Sequence, residues 1–153
     1  MSSDVWYFAY GSNLSKGRKQ IRTGLIRRAL RAQLHGYRLA FNKEASDGGV
    51  FANIVPSADG VVFGVIYLCN PDAMAELDRR EGVMAGHYQR TSVRVCLEDG
   101  TSCEAQTYVA GVHYTVPESH PESWYLDLIL TGALEHGIPA QYIRQIATLG
   151  GRD

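Results

Sequence analysis

From Val5 to Tyr10 the chain is an unbroken run of bulky residues, VWYFAY, that ends at Gly11-Ser12-Asn13. The run predicts a strand, and the short residues after it open backbone conformations closed to most side chains. Partial alternation between Ala29 and Phe41, with Tyr37, Leu39 and Phe41 on one parity, predicts a second strand. Ser46-Asp47-Gly48-Gly49 reads as a loop, 50–55 as a short strand, Pro56 to Gly60 as a turn, and Val61 to Cys69 as an apolar strand. Asn70-Pro71 is a helix start, with Asn as N-cap and Pro at the first helical position; Met74 and Leu77 continue its apolar side until Glu81-Gly82. Tyr88 to Leu97 and Thr101 to Ala110 then form a hairpin around Asp99-Gly100, a two-residue turn that sets Cys96 directly opposite Cys103. Beyond it the period changes: Glu122 to His136 predicts a helix stopped by Gly137, and Pro139 to Leu149 a last one. Strands come first and helices late, so the fold class is α+β, in one domain covering 1–153.

Composition narrows the function classes. A hydrophobic share of 45% and a charged share of 20% are globular values and exclude a disordered or fibrous chain. No apolar stretch is long enough to span a bilayer and MSSDVW has no leader character, so the expectation is a soluble, cytoplasmic protein with no membrane partner. A net charge of −1 gives no footprint for nucleic acid. Lys16, Arg18, Lys19, Arg22, Arg27, Arg28 and Arg31 lie in a stretch without an acid; the alternatives are a solvated surface and an RNA-contacting patch, and the latter lacks interleaved aromatics. Cys69, Cys96 and Cys103 match no zinc spacing and are expected to remain thiols, and His35, His87, His113, His120 and His136 are scattered. Neither a metal nor another cofactor is expected.

Two places carry candidate chemistry. The turn at Tyr10-Gly11-Ser12-Asn13 can converge N–H groups on a small anion, or it can simply end a strand; it lacks the lysine of a phosphate loop and the flanking glycines of a serine-nucleophile elbow. Glu81 closes a helix at the negative end of its macrodipole, on the side of Met74 and Leu77 rather than that of Arg79 and Arg80. Both effects disfavour the ionised carboxyl and suit a proton-exchanging group; the alternative is a side chain bent to solvent and paired with a neighbouring arginine. Tyr88 and Tyr125 are hydroxyl donors or packing residues.

With these residues in view, the chain resembles the gamma-glutamylcyclotransferases and their avirulence-induced-gene-like relatives. The resemblance is carried by YFAYGSNL from Tyr7 to Leu14, GVIY from Gly64 to Tyr67, LDRREGV from Leu77 to Val83, GHY from Gly86 to Tyr88 and WYLDLILTGALEHGIP from Trp124 to Pro139. It implies a mixed β-barrel-like sheet with surrounding helices and a cavity at the barrel mouth. It also implies cyclisation of a γ-glutamyl group to 5-oxoproline with release of the attached amine, a transferase- or lyase-type reaction that needs no cofactor. Carried onto this chain, Glu81 is the catalytic acid/base. The substrate-binding stretch is Tyr7, Phe8, Ala9, Tyr10, Gly11, Ser12, Asn13 and Leu14, joined by Tyr88 and Tyr125. The AYGSNL loop differs from the style of glutathione-specific relatives and favours γ-glutamyl amino acids or amines, with the leaving-group pocket built from loops 45–49 and 112–120. A monomer or homodimer acting on a small γ-glutamyl compound is the expected unit. The competing expectation is a module that binds such a ligand without turning it over, which would have no use for Glu81.

Overall fold

The computed structural model describes residues 3–15 and 26–152. Five strands close into a barrel in the order β1-β3-β2-β4-β5, where β1 is Val5–Ala9, β2 Ile26–Glu44, β3 Val50–Cys69, β4 Tyr88–Leu97 and β5 Ser102–Ala110. All neighbours are antiparallel except β1 and β5, whose parallel contact at Tyr7 and Gln106 completes the mixed barrel. Helix α1 (Pro71–Arg80) follows β3; α2 (Ser123–Glu135) and α3 (Ala140–Leu149) come last. One core fills the barrel and continues beneath the helices, from Phe8, Val65 and Ile66 to Leu77, Leu126, Ile129 and Ile146. The expected α+β barrel-like architecture is what the chain adopts. No helix among the described residues is long and apolar enough to cross a membrane.

Two sequence expectations change. Pro56 to Gly60 is not a turn: β3 runs through it, opposite a register shift between His35 and Tyr37. Gly60 sits so near β2 that a Cβ there would lie 2.3 Å from the Tyr37 carbonyl oxygen, so its glycine marks close strand approach inside a bulge, not a chain reversal. The β4–β5 loop holds three residues, because the Leu97 N–H donates to the Thr101 carbonyl at 2.8 Å and Gly100 takes φ +87°. That extra residue moves the register by one, so Cys103 faces Val95 and Cys96 faces Ser102. The basic stretch falls largely outside the described residues; of its members, Arg28 lies over the Trp6 ring and Arg31 pairs with Glu98.

A second bulge matters more for the site. Phe41 pairs with Ala52 and Lys43 with Phe51, which leaves Asn42 as an extra residue on β2. Since cross-strand partners share a face, Lys43 turns to the side of Phe51 and away from that of Phe41.

Candidate active site

The residues that border the barrel mouth come from four directions. From β1 the chain enters the turn at Gly11, locked by Leu14 N–H to the Gly11 carbonyl and Ser15 N–H to the Ser12 carbonyl. Helix α2 clamps this turn: a Cβ on Gly132 would lie 2.6 Å from the Ser15 nitrogen, and the Ser15 hydroxyl donates to the Leu128 carbonyl. Gly11 itself has no positive φ, contrary to the reading of the turn as backbone-permissive. Its lack of a side chain answers to space instead, since a Cβ would stand 3.3 Å from the Ala52 Cβ and 3.7 Å from the Tyr125 hydroxyl.

Helix α1 delivers the carboxylate. Asn70 caps it by accepting the Ala73 N–H at 2.8 Å, Pro71 opens it, and Met74 and Leu77 are buried. Glu81 is its C-cap, with its N–H on the Leu77 carbonyl, and Gly82 at φ +66° turns the chain away. Arg79 and Arg80 both pair with Glu76 on the outer face. Glu81 turns inward, where Oε1 accepts Asn13 Nδ2 at 3.0 Å; the same amide donates to the Tyr7 hydroxyl at 2.8 Å. One asparagine of the turn therefore ties the helix carboxylate to the first strand.

An inner recess of about 30 Å³ lies here, lined by Tyr7, Tyr10, Gly11, Ser12, Asn13 and Glu81, with Ala52, Tyr88, Tyr108 and Tyr125 completing its wall. An outer chamber of about 350 Å³ shares Ser12, Asn13, Glu81, Tyr88 and Tyr125 with it and adds Lys43, Ser46, Phe51, Gly82, His87, Trp124 and Arg80, whose guanidinium is paired with Glu76. Burial, with the charge of Glu81 adding to it, holds the Tyr7 and Tyr10 hydroxyls well above the ordinary phenol value. Burial likewise raises Tyr88, Tyr108 and Tyr125. All five phenols remain protonated donors at neutral pH.

Their hydrogen bonds sort them. Tyr10 donates to the Tyr108 carbonyl at 2.6 Å, Tyr88 to the Ala52 carbonyl at 2.7 Å, and Tyr108 to Asp78 at 2.6 Å, so these protons are committed to the fold. Tyr7 accepts from Asn13, and Tyr125 accepts the Ala52 N–H at 2.9 Å; the Ser12 side chain acts to lower the Tyr125 proton affinity against burial. Because an accepting hydroxyl keeps its own hydrogen, Tyr7 and Tyr125 are the two that can donate to a ligand in the recess.

Of the residues expected at the site, Tyr7, Tyr10, Gly11, Ser12, Asn13, Glu81, Tyr88 and Tyr125 are brought together around the recess. Phe8, Ala9 and Leu14 are not: they are buried in the core, with the Phe8 carbonyl bonded to Thr107 and the Leu14 carbonyl to Tyr67. In β1, period-two alternation sends Tyr7 and Phe8 to opposite faces, which excludes Phe8 from a recess that Tyr7 lines. Ser46 alone represents loop 45–49 in the outer chamber, and 112–120 contributes no lining residue. Sequence reasoning missed Tyr108, Ala52, Lys43 and His87. None of them belongs to a local sequence pattern: in β5 the even positions beside Tyr108 are exposed or half-buried, at Glu104, Gln106 and Ala110.

Comparison with known proteins places these features in company. The profile of the AIG2-like family matches residues 61–146. The chain is 31% identical to a gamma-glutamylcyclotransferase of Bos taurus and 29% identical to that of Homo sapiens, in each case across 96% of this chain and 79% of the relative. Among solved structures, a gamma-glutamyl cyclotransferase superposes with a TM-score of 0.83 at 27% identity, covering 94% of this chain and 86% of the other.

Proposed function

The chain belongs to the AIG2-like, gamma-glutamylcyclotransferase family, and on that premise we propose that it converts a γ-glutamyl amino acid or amine into 5-oxoproline and the free amine, with Glu81 as the acid/base. The observation that carries this reading is the Asn13 amide joining Glu81 to the Gly11–Ser12 turn, which puts a proton-accepting carboxylate beside a small recess of protonated donors.

In this mechanism the N–H groups of Gly11 and Ser12 receive the α-carboxylate of the γ-glutamyl head, and the Tyr7 and Tyr125 hydroxyls donate within the recess. The α-ammonium gives a proton to Glu81. The freed nitrogen lone pair attacks the γ-carbonyl carbon and forms the lactam C–N bond. The bond from that carbon to the leaving nitrogen breaks as that nitrogen takes the first proton from Glu81; Glu81 then takes the second proton from the new ring nitrogen and passes it to the departing amine, which leaves as the ammonium. No water is consumed and one carboxyl performs each transfer. Nucleophile and electrophile already share a molecule, so holding the chain curled converts effective molarities of about 10⁵–10⁸ M into rate.

Incubation with a set of γ-glutamyl amino acids and amines, read by mass spectrometry for 5-oxoproline, tests the assignment. Stoichiometric 5-oxoproline and free amine are expected from at least one of them; glutamate in place of 5-oxoproline would mean hydrolysis and overturn it.

A further inference from the structure

Lys43 is a charged side chain in an apolar setting. It is 4% exposed and lines the outer chamber beside Glu81. Among the described residues its ammonium makes one hydrogen bond, 2.9 Å to His87 Nδ1, and lies 5.3 Å from the ring centroids of Tyr88 and Tyr114 and 5.7 Å from that of Phe51. His87 is itself fixed by stacking on Tyr114 at 3.9 Å, and toward an ammonium its Nδ1 can only accept. The rings therefore stabilise the cation without neutralising it. A buried ammonium is costly unless an anion meets it, and no carboxylate lies within ion-pair distance of Lys43 among the described residues. Burial lowers its proton affinity, while the charges of Glu81 and Glu44 act in the opposite sense.

The fold holds Lys43 in this position through the Asn42 bulge, which turns it to the face of Phe51. An ammonium has three hydrogens and His87 takes one.

Resting on the cyclotransferase reading, we propose that Lys43 is the receptor for the α-carboxylate of the departing amino acid, so that this chain acts on γ-glutamyl amino acids in preference to γ-glutamyl amines. The substrate's leaving nitrogen must lie beside Glu81, and whatever it carries extends into the chamber that Lys43 lines. In an amino acid the carboxylate is attached one carbon from that nitrogen. A leaving group that bears a cation would instead face an ammonium at short range in a desolvated wall. The charges then match throughout: ammonium to Glu81, head carboxylate to the Gly11–Ser12 turn, leaving-group carboxylate to Lys43.

The test compares γ-glutamyl-L-alanine with γ-glutamyl-L-alaninamide, which differ only in the group offered to Lys43, by the rate of 5-oxoproline release. The unmodified protein is expected to favour the carboxylate in kcat/KM by about 10–100-fold, the yield of one charge-assisted contact. In Lys43→Met the ratio is expected to collapse toward unity, and Lys43→Arg to restore part of it. Equal rates on both compounds with the unmodified protein overturn the inference and leave the cyclotransferase standing. So does a Lys43→Met variant that keeps the ratio or loses both activities in equal proportion. No 5-oxoproline from either compound or from the wider set overturns the parent reading and this inference with it.

Discussion

The inner recess and the outer chamber meet at Glu81 and are built on opposite principles. In the recess nearly every polar group is held by another: Tyr10 on the Tyr108 carbonyl, Tyr88 and Tyr125 on the two backbone groups of Ala52, Asn13 between Tyr7 and Glu81. In the chamber, Lys43 stands among rings with one hydrogen bond among the described residues, and Trp124 is 54% exposed at the margin. A closed network allows one geometry and suits a head group that is the same in every substrate. A wide, sparsely bonded chamber suits a portion that varies. For the proposed reaction, this difference would keep one cyclisation while the leaving group's side chain changes.

The largest effect that would test this division comes from Glu81, one of the residues the two regions share. Glu81→Gln keeps the shape and its acceptance from Asn13 while removing the proton acceptor, and turnover should fall roughly 10²–10⁴-fold with 5-oxoproline still bound in calorimetric titration. Turnover within about tenfold of the parent would show that the carboxylate is not the acid/base.

A smaller effect separates backbone from side chain within the recess. Because a Cβ on Gly11 already approaches Ala52 at 3.3 Å, the branched side chain of Gly11→Val must push the turn away from β3. Overpacking of about 1–3 kcal/mol is expected, and affinity for 5-oxoproline should fall by tens-fold. Ser12→Ala loses one hydroxyl contact to Tyr125 and should weaken binding by about tenfold at most. A folded Gly11→Val protein, checked by circular dichroism, that binds like the parent while Ser12→Ala does not bind would invert the assignment.

The third and most gradual effect is alkaline. The recess tyrosines have folded-state proton affinities raised by burial. Groups raised in this way contribute stability that is fully present below the ordinary phenol value, about pH 10, and is lost as pH rises from there through the raised values. Stability in urea should therefore be unaffected by these groups below about pH 10 and decline above it, with their phenolate absorbance appearing together with unfolding. Phenolate absorbance from these residues in a still-folded protein would mean that the recess is open to solvent.

Much of the frame was legible in the residues themselves. The Asn70-Pro71 start, the inward placement of Glu81 and the late helices follow from capping and periodicity, which are local. The register of β4 against β5 was misjudged by one residue because a two-residue turn needs positive φ at Asp99 as well as at Gly100, whereas Asp99 stays at negative φ and Gly100 alone is left-handed, as a three-residue loop requires. Phe8, Ala9 and Leu14 were assigned to the site as part of a contiguous stretch; alternation sends Phe8 to the other face, Ala9 is buried in the core, and Leu14, beyond the strand, packs against the Gly132 turn of α2.

By itself the sequence determined the first strand, the three helices with their ends, and a carboxylate, Glu81, placed against a helix dipole, since each depends on residues within a turn or two of one another. Only the tertiary structure decided that Asn13 would bind Glu81 across 68 positions of sequence, that Tyr7 and Tyr125 would keep their hydrogens free for a ligand while Tyr88 would not, and that Lys43 would enter the chamber. These outcomes depend on which groups meet at distance, and on a bulge at Asn42 that reverses the alternation by which Lys43 would otherwise be placed.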